Sequence, residues 1–239
     1  MPISAIAVHL FTASGIVCAL LATTAMLEGA YERMFVWLGV AFVIDAVDGT
    51  FARMARVSER LPRFSGERLD LVIDYVTYVF IPVLALIKAG YLEGPAGLVL
   101  AALALLSALF HFSDTESKSE DNCFIGFPAV WNLVAFHVFA FDPPRLATMA
   151  VIGLGVVLTF VPWRWVHPLR AAPLRPVTLA FTALWGVAAV WCVMAGFPAA
   201  IGLKAVLLAV TIYAVGLSLM WRGAPERSEA GRSGSADTG

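Results

Sequence analysis

The chain has 239 residues, 60% hydrophobic and only 14% charged, with a mean hydropathy of +0.85. Soluble domains carry roughly 25% charged residues, so this composition excludes a disordered chain, a coiled coil and a water-soluble domain. Sixteen Lys and Arg against 17 Asp and Glu leave a formal charge of −1, which provides no basic field to gather nucleic acid.

A helix needs about 20 mostly apolar residues to cross a bilayer. The first charge-free run, 1–27, is long and has no basic residues at its start, so it is read as a span rather than a cleaved leader. Run 34–44 reaches spanning length by taking in Asp45 and Asp48, and run 75–87 by starting upstream at Asp70 or Asp74. Runs 94–113, 122–141 and 146–163 are each long enough for one span. Run 176–203 contains Gly196, Phe197 and Pro198, a turn signal that starts a last helix from about 199 to 221. The expected architecture is therefore an all-α integral membrane protein, a polytopic bundle of about eight transmembrane helices. It forms one domain over 1–222, followed by a Gly/Ser/Ala/charged tail over 223–239 that reads as disordered. No internal repeat of fixed period is visible.

Eight spans put both termini on one side. That side holds Arg53, Arg56, Arg60, Arg63, Arg68, Lys118, Arg164, Arg170, Arg175, Arg222, Arg227 and Arg232, whereas Arg33, Lys88, Arg145 and Lys204 lie opposite. The excess places the termini and the 51–69 loop in the cytoplasm. Cys18, Cys123 and Cys192 are odd in number, widely spaced and without a CxxC pair, which gives neither a disulfide framework nor a zinc site.

Acidic residues at the ends of membrane helices are costly and point to function. Asp45 and Asp48 are spaced i, i+3 near the cytoplasmic end of the second span, and Asp70 and Asp74 are spaced i, i+4 at the start of the third. Each pair shares a helical face, so adjacent spans can gather four carboxylates at one rim. Such a cluster repels itself unless a cation compensates. All-oxygen ligands favour Mg²⁺ or Mn²⁺, and two such ions about 4 Å apart would clamp a phosphoryl group and its leaving oxygen. The alternative is solvated rim carboxylates paired with nearby arginines. Gly49, Ala52 and Gly66 lie on or beside the same faces and leave a cleft where a base or ribose can meet the backbone, although close helix packing explains small residues as well. Arg53 is placed to meet a phosphate or to anchor the helix at the membrane surface.

Together these residues read Asp48-Gly49-x-x-Ala52-Arg53, twelve residues, Gly66-x-x-x-Asp70-x-x-x-Asp74, with Asp45 three before. The pattern resembles the signature of the CDP-alcohol phosphotransferase family, in which about eight residues commonly separate the Arg from the second Gly. The longer spacing here is similar to the phosphatidylcholine synthase branch. So are the flanks His9-Leu-Phe-Thr-Ala-Ser-Gly15, Leu61-Pro-Arg-Phe64, Asp74-Tyr-Val-Thr-Tyr-Val-Phe-Ile-Pro82 and Gly126-Phe-Pro-Ala-Val-Trp-Asn132, and eight spans fit that branch.

The resemblance implies a transmembrane catalytic domain that converts CDP-diacylglycerol and choline to phosphatidylcholine and CMP. It implies two divalent metal ions, Mn²⁺ or Mg²⁺, on Asp45, Asp48, Asp70 and Asp74. Asp74 would be the base that takes the alcohol proton, and Gly49, Ala52, Arg53 and Gly66 would form the CDP pocket. It further implies the inner membrane of a bacterium, a cytoplasmic active site, lipid around the bundle and homodimers as in relatives.

Choline cannot donate a hydrogen bond from its ammonium, so aromatic faces should recognise it. Tyr78, one turn beyond Asp74, is the first choice, with Tyr75, Trp131 and Phe127 nearby and Asp114 and Glu116 as carboxylates; these aromatics equally suit a membrane interface. The polar 113–123 segment reads as a connector or as a lid. His9, His111, His137 and His167 show no metal spacing, and His9 precedes Thr12, Ser14 and Gly15 where relatives contact the nucleotide. G-x-S-x-G, Walker and GxGxxG motifs are absent. Two other functions fit the carboxylates: the same chemistry on serine, inositol or glycerol phosphate, and a divalent-cation transporter or channel. The flanking resemblance favours choline, and the one-sided placement of the carboxylates disfavours transport.

Overall fold

The structure is a computed structural model that describes residues 3–117, 123–166 and 174–220. The expected tail over 223–239, the middle of the 113–123 segment, and His167, Lys118 and Arg170 lie outside the described residues. Among the described residues, eight helices of more than ten residues carry the eight apolar stretches: α1 (Ile3–Leu27), α2 (Tyr31–Met54), α4 (Gly66–Lys88), α5 (Gly94–Ser113), α6 (Trp131–Phe141), α7 (Arg145–Thr159), α8 (Arg175–Ala195) and α9 (Ile201–Met220). A single turn, α3 (Val57–Arg60), sits between α2 and α4.

Six of these helices are long and apolar enough to cross a membrane, whereas α6 and α7 have 11 and 15 residues. At 1.5 Å per residue the two short ones reach roughly 16 and 22 Å, against a hydrocarbon core of about 30 Å. The expected spans 122–141 and 146–163 are thus shortened, and the reason is local. Pro128 lacks an N–H and biases its predecessor away from the helical region, while Gly126 (φ +77) and Ala129 (φ +53) turn the chain. Outside the helices, two short strands, β1 (Cys123–Ile125) before α6 and β2 (Arg164–Val166) after α7, pair antiparallel with Phe124 opposite Trp165. This pairing closes α6 and α7 into a hairpin that leaves from and returns to the same end of the bundle. The number of crossings therefore stays even whether or not the hairpin spans.

The two ends of the bundle are distinct. At one, Arg60 donates to Ser4 Oγ (3.1 Å), and the Val166 amide donates to Ser218 Oγ (3.1 Å). At the other, Tyr91 donates to Asp142 Oδ1 (2.7 Å), Lys204 Nζ to the Phe141 carbonyl (3.1 Å), the Phe197 amide to Glu32 Oε1 (3.1 Å) and the Arg145 guanidinium to the Glu93 carbonyl. Burial, then the Asp142 carboxylate, raise the Tyr91 phenol above its ordinary value, so it remains a donor. The expected separation of Arg33, Lys88, Arg145 and Lys204 from the motif-side arginines follows from this up-and-down order.

Core and surface are both apolar. Trp131, Met34, Leu86, Ile152 and Leu207 are fully buried, while Leu146, Met194 and Ile201 are about four-fifths exposed. That is the pattern of a chain whose outer solvent is hydrocarbon. Inside, Gly155 of α7 lies against Trp131 at the start of α6: a Cβ added to Gly155 would stand 2.8 Å from Cη2 of Trp131, which is 1% exposed and has nowhere to move. Overpacking of this kind costs about 1–3 kcal/mol. Gly155→Val is expected to lower the thermal unfolding midpoint in detergent, while Gly186→Ala, where a Cβ meets nothing within 4 Å, leaves it unchanged or raises it slightly.

Candidate active site

α2 carries Asp45 and Asp48 and continues to Met54, so Asp45 lies about 13 Å below the helix end at 1.5 Å per residue. The chain returns through α3, whose Val57 is buried and pins the linker. α4 starts at Gly66 with Ser65 as N-cap, its hydroxyl accepting from the Arg68 amide at 3.2 Å. That cap satisfies a backbone donor that no preceding helical turn can reach and fixes the first turn of the helix bearing Asp70 and Asp74.

Three of the four predicted metal ligands come together. One carboxylate oxygen from each of Asp45, Asp70 and Asp74 lies within 4.8 Å of the others, and all three side chains are half-buried. Asp48 stands apart from this trio. It is 6% exposed and lies against α1, with the Thr12 hydroxyl within hydrogen-bonding reach. The helix explains the difference: positions i and i+3 differ by about 60° around the axis and i, i+4 by about 40°. On α2 the wider angle is enough to point one carboxylate toward α4 and the other toward α1.

A hard divalent ion fits the trio's donor chemistry, since every available atom is a carboxylate oxygen. An octahedral ion with bonds of about 2.1 Å holds ligand oxygens roughly 3–4 Å apart, a small side-chain adjustment from the observed arrangement.

Small residues shape the walls. A Cβ on Gly15 would stand 2.9 Å from Ile73 Cγ2, so this glycine lets α1 approach α4 between Asp70 and Asp74. A Cβ on Gly66 would stand 3.3 Å from Cε1 of His9, whose Nε2 is buried without a partner. Arg53 folds back along α2: its Nη1 lies 3.4 Å from the Cβ position of Gly49, and its Nη2 donates to Thr50 Oγ1 (3.1 Å). The Arg53 side chain is exposed and Ala52 beside it is half-buried. Gly49, Ala52 and Arg53 thus share the last turns of α2, while Gly66 opens α4 facing α1.

The aromatic candidates separate clearly. Tyr78 donates to Asp45 Oδ2 at 2.7 Å, and its ring meets Phe42 edge-on with centroids 6.3 Å apart. The Tyr75 hydroxyl is bonded to the Leu105 carbonyl (3.0 Å), and its ring packs on Phe112. Trp131 is a core residue against Phe127, with centroids 5.0 Å apart. Asp114 accepts from the Glu116 amide (2.8 Å) at the exposed end of α5. His137 bridges the Leu133 carbonyl and Thr211 inside the bundle and serves packing. Sequence reasoning missed the Tyr78–Asp45 bond and the Gly15–Ile73 approach, both of which join helices far apart in the chain.

No family model matches the chain. Comparison with curated proteins is decisive. The chain is similar to a phosphatidylcholine synthase of Mesorhizobium japonicum, 44% identical over 181 residues that cover 76% of this chain and 68% of that one. It is 37% identical to the phosphatidylcholine synthase of Rhizobium meliloti over 219 residues, 91% of each chain. That of Pseudomonas aeruginosa is 38% identical over 222 residues, 92% of each. The chain belongs to the phosphatidylcholine synthase family. Because two of these matches run over more than nine-tenths of both chains, membership rests on the whole bundle of this phosphatidylcholine synthase family member, beyond the carboxylate motif alone.

The α4 cap offers a local test. Loss of a Ser N-cap costs about 1 kcal/mol, so Ser65→Ala is expected to speed hydrogen exchange at the amides of residues 67–70 while leaving those of α8 unchanged.

Proposed function

We propose that the protein transfers the phosphatidyl group of CDP-diacylglycerol to choline, yielding phosphatidylcholine and CMP, with divalent Mn²⁺ or Mg²⁺ at the α2–α4 carboxylates. The observation that carries this reading is the convergence of Asp45, Asp70 and Asp74 from two helices in a member of the phosphatidylcholine synthase family. Asp48, buried beside Thr12 and three residues from Asp45, would complete a second ion position.

Phosphoryl transfer is mainly positioning and charge neutralisation. When bound, a divalent cation offsets the charge of the diphosphate and of the departing CMP. The chain's own groups do the rest. Asp74 accepts the proton of the choline hydroxyl as that oxygen bonds to the phosphatidyl phosphorus. The bond from this phosphorus to the CMP oxygen breaks, and CMP leaves with the electron pair. Arg53, exposed and one turn past Gly49, is placed to meet a phosphate oxygen. Gly49, Ala52 and Gly66 leave the helix backbones open to the nucleotide. The quaternary ammonium of choline would rest on the ring of Tyr78, the aromatic candidate that touches a site carboxylate.

The distribution of basic residues supports a multi-pass protein of the bacterial inner membrane with this site on the cytoplasmic face. There a soluble nucleotide headgroup is reached from water while its acyl chains stay in lipid.

The test is CMP release from purified protein in mixed micelles. CDP-diacylglycerol, choline and Mn²⁺ are expected to give CMP and phosphatidylcholine; replacing choline with serine, inositol or glycerol phosphate should give neither, and EDTA should stop the reaction. Turnover with serine in place of choline would overturn the acceptor, and full activity in EDTA would overturn the metal. Asp74→Asn is expected to lower kcat by at least about 100-fold, the lower end of what a positioned base supplies, with an unchanged unfolding midpoint. An active Asp74→Asn variant would remove Asp74 as the base.

A further inference from the structure

α4 is not a regular helix throughout. Residues Tyr75–Phe80 form a π-helical stretch, and the Ile81 amide donates to the carbonyl of Val76 five residues back. The cause is in the sequence. Pro82 has no N–H to offer the Tyr78 carbonyl four residues earlier, and its ring would collide with that carbonyl in a regular α-helix. Widening the turn over 75–80 relieves the collision.

The widening has a geometric consequence. In a regular helix four residues overshoot a full turn by about 40°, whereas in the wider π-helical turn four residues fall short of a full turn. Tyr78, four residues beyond Asp74 and inside this stretch, is thereby turned relative to its position in a regular helix, and it reaches across to α2. Its hydroxyl meets Asp45 Oδ2 at 2.7 Å, with its ring held edge-on by Phe42 of α2.

We infer that Tyr78 is a positioning residue that ties the Asp45 carboxylate of α2 to the helix bearing Asp70 and Asp74, and thereby sets the affinity of the site for its divalent cation. This rests on the metal reading given above. Asp45 stands on a different helix from the other two members of the trio, so its distance from them depends on what joins α2 to α4 at that depth. The phenol donates one hydrogen bond to Oδ2, restricts rotation of the carboxylate and leaves Oδ1 free for an ion. Partners of this kind, which orient a ligating carboxylate through its other oxygen, change metal affinity by about 10–100-fold when removed.

Tyr78→Phe removes only the hydroxyl and keeps the ring, so contact with Phe42 and any contact of the ring with an ammonium ion survive. Mn²⁺ is titrated into the detergent-solubilised full chain, without substrates, and free Mn²⁺ is read by electron paramagnetic resonance. The Mn²⁺ dissociation constant of Tyr78→Phe is expected to rise about 10–100-fold relative to the unsubstituted protein, with the metal-free unfolding midpoint unchanged. In an Asp45→Asn background the same substitution should cause no further loss, because the group it orients is already gone. Equal Mn²⁺ affinity in Tyr78→Phe and the unsubstituted protein would overturn the inference and leave the metal reading standing. A full further loss in the Asp45→Asn background would likewise overturn it. No Mn²⁺ uptake by the unsubstituted protein would overturn the metal reading and the inference together.

Discussion

Three carboxylates whose oxygens approach within 4.8 Å repel one another, and at a partly dry helix end that repulsion is far less screened than in water. The rest of the architecture can be understood from what it takes to hold them there. Two helices must run side by side at the depth of Asp45 and Asp74, and a third must back them. Gly15 permits the third by giving up the Cβ that would strike Ile73. Thr12 on the same helix faces the buried Asp48, so α1 serves as a wall for both acidic pairs.

Around this centre the bundle divides its work by depth. The end away from the site is closed by hydrogen bonds between loops and by an aromatic cluster of Tyr31, Phe35, Phe136, Phe139 and Phe197. Those contacts are short-ranged and well satisfied, which suits a region whose role is to keep helices in register. The site end keeps exposed or half-buried polar groups, among them Arg53 and the trio. A lipid-linked nucleotide needs this division, because its diphosphate must meet charge while its acyl chains stay in hydrocarbon.

The π-helical stretch of α4 joins the two levels. It originates in one imino acid, Pro82, and acts at a carboxylate on another helix. Irregular helical turns commonly accompany functional sites, and here a sequence-level cause and a contact at the site are both visible.

Much of this was legible from the residues in order. Hydropathy located the six long apolar helices because a helix that crosses lipid must hide its backbone polar groups, which demands a continuous apolar run. The spacing of Asp70 and Asp74 placed both on one face because four residues nearly complete a turn. What the chain alone did not decide is everything that depends on how faces meet. Asp45 and Asp48 share a face by spacing, yet about 60° of rotation points them at different neighbours. Tyr75, Tyr78 and Trp131 look equivalent as rim aromatics, but only packing decides that one touches a site carboxylate, one the Leu105 carbonyl and one the core. Two apolar runs long enough to span became a short helical hairpin because Pro128 and the β1–β2 pairing claimed their ends. One-dimensional pattern reports what a segment must bury; the partner against which it is buried is set by contacts between residues dozens of positions apart, and these exist only once the helices have packed.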